Sequence, residues 1–267
     1  MTWRVFENCP ALIGHRGMGA GVVAGHRENT VSSFRAAARA GAAWVELDVQ
    51  RTRDDALMVV HDPVLPDGRY LAELTSDDAA RHGLVRLEDL LEQLPPGLGV
   101  AVEIKSGLHD AARPADATTA ALLARRYAHG LSDRPVLALS FDPAALQHLR
   151  QSAPDLPLGL LTWKTFPIQH AVAAAAHLDV QVLALHTSSL APPTSGGVAP
   201  LAENVFDIVH AARRQVLVWC PESTGRTRDF AAAGVDAVIV DDIPRHARAK
   251  SVEADVEPTQ GSEVTTA

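Results

Sequence analysis

Short runs of Val, Leu, Ile and Ala recur at 11–15, 44–49, 99–104, 136–141, 157–162, 180–186, 215–220 and 236–241. Runs this short and this apolar have the length of strands covered on both faces. Between them lie Ala-rich segments with helical spacing, at 33–40, 87–94, 115–129, 143–151, 168–177, 205–214 and 228–233. Gly41 and Gly234 stand where such helices stop. Eight alternating units in about 250 residues predict an α/β chain folded as a single (β/α)8 TIM barrel, with its site at the C-terminal ends of the strands. A doubly wound open sheet is the competing architecture, but no Gly-x-Gly-x-x-Gly follows the first run.

The polar positions that break this pattern gather at one end of the strands. Side chains alternate across a strand, so in Trp44-Val45-Glu46-Leu47-Asp48-Val49 the two carboxylates share one face and the three apolar residues the other. The polar cluster Arg53-Asp54-Asp55-Ala56 then separates this run from Leu57-Met58-Val59-Val60-His61, as in a hairpin with a four-residue loop. Pairing Thr52 with Leu57 sets Gln50 opposite Val59 and Asp48 opposite His61, which brings the imidazole to the carboxylate face. His15 closes the first run, and Glu103 and Lys105 close the third. Charged groups at the same end of three apolar strands point to a metal-dependent site rather than to the wet face of an edge strand. Between His15 and Glu28, Gly17, Gly19, Gly21 and Gly25 give a permissive backbone, read as a mobile loop that serves as a substrate lid or as a plain connector.

Composition narrows the picture. With 267 residues and 47% apolar side chains, one large domain over 1–250 is expected. From Ser251 to Ala267 the composition turns to Glu, Asp, Thr, Ser, Pro and Gly without periodicity, as in a disordered acidic tail. A net charge of −8 and a pI near 5.8 exclude the basic stripe of a nucleic-acid surface, so the partner is a small molecule. The N-terminal residues lack a secretory apolar core and no apolar run reaches the roughly 18 residues of a membrane span, so a cytoplasmic protein is expected. Cys9 and Cys220 are too few for a disulfide scaffold and read as buried thiols. Oligomeric state is not legible.

The motifs His15-Arg16-Gly17, Glu28-Asn29-Thr30, Glu46-x-Asp48, Thr52-x-Asp54, His61-Asp62 and Glu103-x-Lys105, in this order, closely resemble the glycerophosphodiester phosphodiesterase family. Leu139-Ser140-Phe141-Asp142, Val218-Trp219 and Gly234-Val235-Asp236-Ala237 agree more loosely. The resemblance implies a (β/α)8 barrel that uses a divalent cation to hydrolyse glycerophosphodiesters to sn-glycerol 3-phosphate and an alcohol. It further implies Glu46, Asp48 and Glu103 as metal ligands, His15 and His61 as the acid/base pair, and Arg16 and Lys105 as phosphate contacts. The chain departs from the common pattern in a longer interval from His15 to Glu28, where His26-Arg27 replace the usual proline, and in a shorter stretch from His61 to Glu103.

Three carboxylates without a thiolate make a hard oxygen site suited to Mg²⁺ or Ca²⁺, with histidine-bound Zn²⁺ the weaker choice. Their charge of −3, with +2 from the cation, +2 from Arg16 and Lys105 and −1 from a phosphodiester, sums to zero, whereas the metal-free site would repel the substrate. Two histidines fit the division into base and acid. The nucleophile is water or the glycerol 2-hydroxyl; the residues leave both open. Thr30 or Asn29 is expected to cap the first helix, and the resemblance implies that Glu28 orients Arg16 or His15 and belongs to the substrate-binding residues. Trp219 is a candidate wall for the glycerol carbons or else rim packing. His186 closes the sixth strand and is a further candidate, while Asp142, Asp241 and Asp242 at strand ends read equally as helix caps. The competing functions are a lysophospholipase D of the same barrel type, with an apolar rim drawn from Trp163, Phe166 and Trp219, and a non-catalytic barrel that senses a phosphorylated metabolite.

Overall fold

In the computed structural model, which describes residues 4–164, 166–190 and 200–254, the apolar runs become eight parallel strands. They are β1 (Ala11–Gly14), β2 (Trp44–Arg51), β3 (Gly99–Ile104), β4 (Val136–Ser140), β5 (Leu158–Leu161), β6 (Val182–His186), β7 (Gln215–Trp219) and β8 (Ala237–Val240). Each pairs with its neighbour in sequence, and β1 pairs with β8 through Ala11↔Ala237 as well as with β2 through Ile13↔Trp44, which closes the barrel. The expected helical segments hold Val31–Arg39, Leu87–Glu92, Thr119–Ala128, Pro143–Ser152, Ile168–His177, Pro200–Ala211 and Thr224–Ala232. An eighth, Ile243–Ala254, follows β8; its Arg- and Lys-rich composition hid it from a search for apolar periodicity. That helix runs past Ser251, so the tail expected from that residue begins as helix, and 255–267 lie outside the described residues.

Strand alternation sorts the side chains into two cores. Val45, Leu47 and Val49 of β2 and Val100, Val102 and Ile104 of β3 face the helices. Trp44, Ala101, Ile13, Leu137 and Leu217 fill the barrel interior, and Phe6 packs edge-on against Trp44 with ring centroids 5.2 Å apart. Glu46, Asp48 and Glu103 continue the inward-facing rows of Trp44 and Ala101 toward the C-terminal mouth. Gly99 makes room for this arrangement: a Cβ there would lie 2.3 Å from Trp44 Cδ2. Gly99→Ala is therefore expected to destabilise the fold by about 1–3 kcal/mol, the usual cost of overpacking, seen as a lower denaturation midpoint. An unchanged midpoint would contradict the packing of Trp44 against β3.

The hairpin after β2 forms with a register one residue away from the expected one. Strand Leu57–Val59 pairs antiparallel with β2 through Val49↔Val59, Gln50↔Met58 and Arg51↔Leu57. Ala56 belongs to the pairing, since Thr52 N–H donates to its carbonyl at 2.9 Å, and the loop shrinks to Arg53, Asp54 and Asp55, the last at φ 62°. A three-residue loop ending in a left-handed residue is a favoured hairpin connection. Thr52 and Asp54 serve this turn: the Thr52 hydroxyl donates to Asp54, which also accepts from the Ser76 N–H and hydroxyl and so ties the loop to helix Ser76–Arg81.

The glycine-rich stretch after β1 contains a two-stranded ribbon. Val22–Val23 and His26–Arg27 form an antiparallel ribbon around Ala24 and Gly25, both at positive φ as a tight hairpin turn requires. The cysteines correct another expectation. Cys9 is exposed because it precedes the first strand, outside the barrel, although its thiol turns toward the Phe6 carbonyl and Asp236; Cys220 is half-buried at the mouth, and both are free.

Candidate active site

A cavity of about 590 Å³ opens at the C-terminal end of the barrel. His15, Arg16, Glu46, His61, Glu103 and Lys105 form one side of it, and Phe141, Trp163 and Trp219 the other. Asp48 lies beneath, fully buried. Glu46, Asp48 and Glu103 each offer a carboxylate oxygen, and these atoms lie within 4.8 Å of one another.

Buried carboxylates at this spacing need compensation. Lys105 Nζ lies 2.5 Å from Glu103 Oε1 and 3.0 Å from Asp48 Oδ1. Arg16 Nε lies 3.4 Å from Asp48 Oδ2, and the Asn29 amide donates to that oxygen at 2.9 Å. The Arg16 backbone N–H donates to Glu46 Oε2 at 2.9 Å. Arg16 and Asn29 reach these positions at φ 50° and 54°, the left-handed region that non-glycine residues seldom occupy and that concentrates at functional sites. At Asp48, burial pushes the pKa up, but Lys105, Arg16 and the Asn29 hydrogen bond outweigh it and hold the carboxyl below its ordinary range. Glu46 has less help: burial, then repulsion from Asp48, pushes it up to about 8. Glu103 is raised as well, first by burial.

The fit to a divalent cation follows from this imbalance. Glu46 Oε1 is buried without a hydrogen-bond partner, the donors are hard oxygens, and a doubly charged ion would relieve the repulsion that raises Glu46 and Glu103. Below pH 8 such an ion must displace a proton from Glu46. Apparent affinity for Mg²⁺ or Ca²⁺ should therefore weaken as pH falls below 8, approaching tenfold per unit for one displaced proton. Calorimetry in buffers of different ionisation enthalpy should show that proton released on binding; binding without proton release near pH 7 would contradict the raised pKa of Glu46.

The two histidines share a design. His15 Nδ1 lies 2.5 Å from Asp241 Oδ1, with Nε2 3.9 Å from Glu46 Oε2. His61 Nδ1 lies 2.7 Å from Asp62 Oδ1. An aspartate on Nδ1 fixes the proton there and leaves Nε2 for chemistry. Burial lowers the His15 pKa, but the Asp241 hydrogen bond and the charges of Glu46 and Asp241 outweigh it, so the imidazolium is favoured. The shifted register does not set His61 opposite Asp48, whose backbone carbonyl instead accepts from the Val60 N–H at 3.0 Å. The chain bends after Val59, and the Gln50 amide donates to the carbonyls of His61 and Val60 at 2.7 and 3.3 Å, which holds His61 at the cavity wall.

The remaining candidates divide. Glu28 stands behind Arg16, accepting from Nη1 at 3.0 Å and from the Gly21 N–H, and is not among the residues that line the cavity. Thr30 caps helix Val31–Arg39. Asp142 and Asp242 accept from the N-termini of their helices, as caps do. His186 is turned to Ser188 and packs edge-on against Trp219 at 4.4 Å, so it supports that ring from outside the cavity. Three roles were not read from the sequence: Asp241, weighed there as a helix cap or a functional group, as the partner of His15; Gln50 as the anchor of His61; and Phe141, which stacks on Trp163 at 4.3 Å and meets Trp219 at 5.9 Å. The motif pairs His61-Asp62 and Phe141-Asp142 were visible, but nothing local links Asp241 to a residue 226 positions earlier.

A closed barrel with a carboxylate cluster and two aspartate-held histidines at its mouth defines a class of hydrolase-like site. Solved structures share the fold: a phosphodiesterase from Oleispira antarctica in complex with the product sn-glycerol-3-phosphate is 22% identical, with a TM-score of 0.70 over 91% of this chain and 97% of that one. The chain belongs to the glycerophosphoryl diester phosphodiesterase family, whose model matches residues 15–245. A glycerophosphodiester phosphodiesterase from Caldanaerobacter subterraneus subsp. tengcongensis is 26% identical over 255 residues, 86% of this chain and 93% of that protein. A glycerophosphocholine phosphodiesterase from Schizosaccharomyces pombe is 41% identical over 89 residues, 32% of this chain. The chain spans only 7% of that relative's length. Among the described residues no helix is long and apolar enough to cross a membrane.

Proposed function

We propose that this chain hydrolyses glycerophosphodiesters to sn-glycerol 3-phosphate and an alcohol, with Glu46, Asp48 and Glu103 holding one divalent cation, Mg²⁺ or Ca²⁺. The observation that carries this reading is the meeting, at one cavity, of three carboxylates within 4.8 Å and two histidines that each have an aspartate on Nδ1. The cation, when bound, supplies Lewis-acid polarisation of a phosphoryl oxygen. Arg16 and Lys105 add positive charge for the phosphate, and Glu28 keeps the Arg16 guanidinium turned toward it. One histidine takes the proton of the attacking oxygen at Nε2 and the other gives a proton to the departing alkoxide, as a bond from phosphorus to the nucleophile forms and the bond to the headgroup oxygen breaks.

The opposite wall suggests the headgroup. Aromatic residues make up only 4% of the chain, yet Phe141, Trp163 and Trp219 meet at this cavity. Aromatic faces attract a quaternary ammonium, which favours glycerophosphocholine over glycerophosphoethanolamine and accords with the names of relatives that match in part. Trp219 Nε1 is buried without a partner, a donor left for a substrate oxygen. The 64% exposure of Trp163 also supports a second reading, hydrolysis of a lysophospholipid whose chain lies along the rim.

Product analysis separates these readings. Glycerophosphocholine should yield glycerol 3-phosphate and choline, and Trp163→Ala should lower kcat/KM for it roughly 2- to 5-fold, the equivalent of about 0.5–1 kcal/mol for an exposed cation–π contact, while sparing glycerophosphoethanolamine. Equal losses on both would remove the choline preference, and faster turnover of lysophosphatidylcholine would favour the lipid.

A further inference from the structure

We infer that His15, Cys220 and Asp241 form a second cation site, one that takes a thiophilic ion such as Zn²⁺ or Cd²⁺ and shuts the reaction down. The inhibitory half of this inference rests on the acid–base role proposed for His15; the binding half does not. One ligand atom from each of the three residues lies within 4.8 Å of the other two. Asp241 Oδ1 is 2.5 Å from His15 Nδ1, and the Cys220 thiol lies within 4.8 Å of both groups.

The donor set differs in kind from that of the neighbouring carboxylates. A nitrogen, a sulfur and one oxygen select Zn²⁺, whereas three oxygens select Mg²⁺ or Ca²⁺. Three protein ligands leave a fourth tetrahedral position for water. Bond lengths of about 2.0–2.3 Å separate tetrahedral ligand atoms by roughly 3.3–3.8 Å. The His15–Asp241 contact must therefore open by about an ångström, which the half-exposed Asp241 side chain permits. Cys220 is already fixed at the mouth: its backbone stands at φ 55° and its N–H donates to the Ile239 carbonyl at 3.1 Å.

An ion entering here replaces the thiol proton, which passes to solvent, and replaces the proton on His15 Nδ1. The ring keeps a proton on Nε2, facing Glu46. It then neither accepts a proton there nor gives one up readily, so turnover stops whichever role His15 plays. Because the carboxylate cluster uses none of these three side chains, Mg²⁺ or Ca²⁺ can remain bound while the second ion inhibits.

The test titrates Zn²⁺ into Mg²⁺-loaded protein turning over glycerophosphocholine, for wild type and Cys220→Ser, each normalised to its own uninhibited rate. In parallel, Co²⁺ is added under saturating Mg²⁺ and thiolate-to-cobalt charge-transfer absorption is recorded. The expected results are Zn²⁺ inhibition that excess Mg²⁺ does not relieve, inhibition at least tenfold weaker in Cys220→Ser, on the order of what losing even an outer-shell partner costs, and a charge-transfer band in wild type alone. Equal Zn²⁺ sensitivity of the two proteins, relieved by Mg²⁺, would place the inhibition at the carboxylates and overturn the inference. Absence of the band overturns the site even if no substrate is turned over, and a band without inhibition overturns the switch together with the acid–base role of His15.

Discussion

His61→Ala and His15→Ala should each lower kcat by roughly 10²–10⁴-fold, the range for loss of a general acid or base, with little change in melting temperature for His61→Ala. The argument is geometric. Both rings line one cavity and both carry an aspartate on Nδ1, and the His61 ring is not needed for packing, since that residue is held through its backbone carbonyl by Gln50. The wild-type pH profile of kcat should be bell-shaped, and each variant should lose one limb. A pair of variants that keep near wild-type kcat would refute the acid–base scheme. Asp241→Asn should act through His15 and alter the pH dependence of kcat, because the aspartate sets the ring's tautomer and favours its protonated form.

Glu46→Gln should be as damaging by a different route. The glutamine keeps the side-chain shape but removes one of three charged oxygens, so at fixed Mg²⁺ or Ca²⁺ activity should fall by at least about 10²-fold, more than loss of an outer-shell group. In chelator the variant should be no less stable than wild type, because the carboxylate it loses is buried beside two others and raised to about 8. Wild type should gain thermal stability when metal is added, as any ligand bound only by the folded state confers, and Glu46→Gln should lose most of that gain. A variant that keeps the metal-induced shift would exclude Glu46 as a ligand.

Much of this was legible because barrel strands write their geometry into sequence. Period-two alternation put Glu46 and Asp48 on one face, and the same alternation sends Trp44 inward beneath them. The runs at the C-terminal ends of β1, β2 and β3 therefore announced the cluster before any contact was known. The hairpin register was harder. A four-residue and a three-residue loop both suit Arg53-Asp54-Asp55-Ala56, and the choice depends on Asp55 adopting a left-handed conformation and on Asp54 bonding to Ser76. The sequence route to His61 was thus off by one residue, although His61 does line the cavity. The pairings of Asp241 and Phe141 were opaque for a related reason: their partners, His15 and Trp163, come from other strand ends and meet only when the barrel closes. Helix Ser76–Arg81, a short charged segment held by a Thr75–Asp78 capping box, leaves no periodic signal to read.

The most direct measurement is the release of glycerol 3-phosphate from glycerophosphocholine and glycerophosphoethanolamine by chelator-stripped protein, with Mg²⁺ or Ca²⁺ added back separately, in wild type and Glu46→Gln. The account predicts no release from stripped protein, recovery in wild type with at least one of the two ions, and no comparable recovery in the variant. Full release by the stripped protein, or equal recovery in Glu46→Gln, would contradict it.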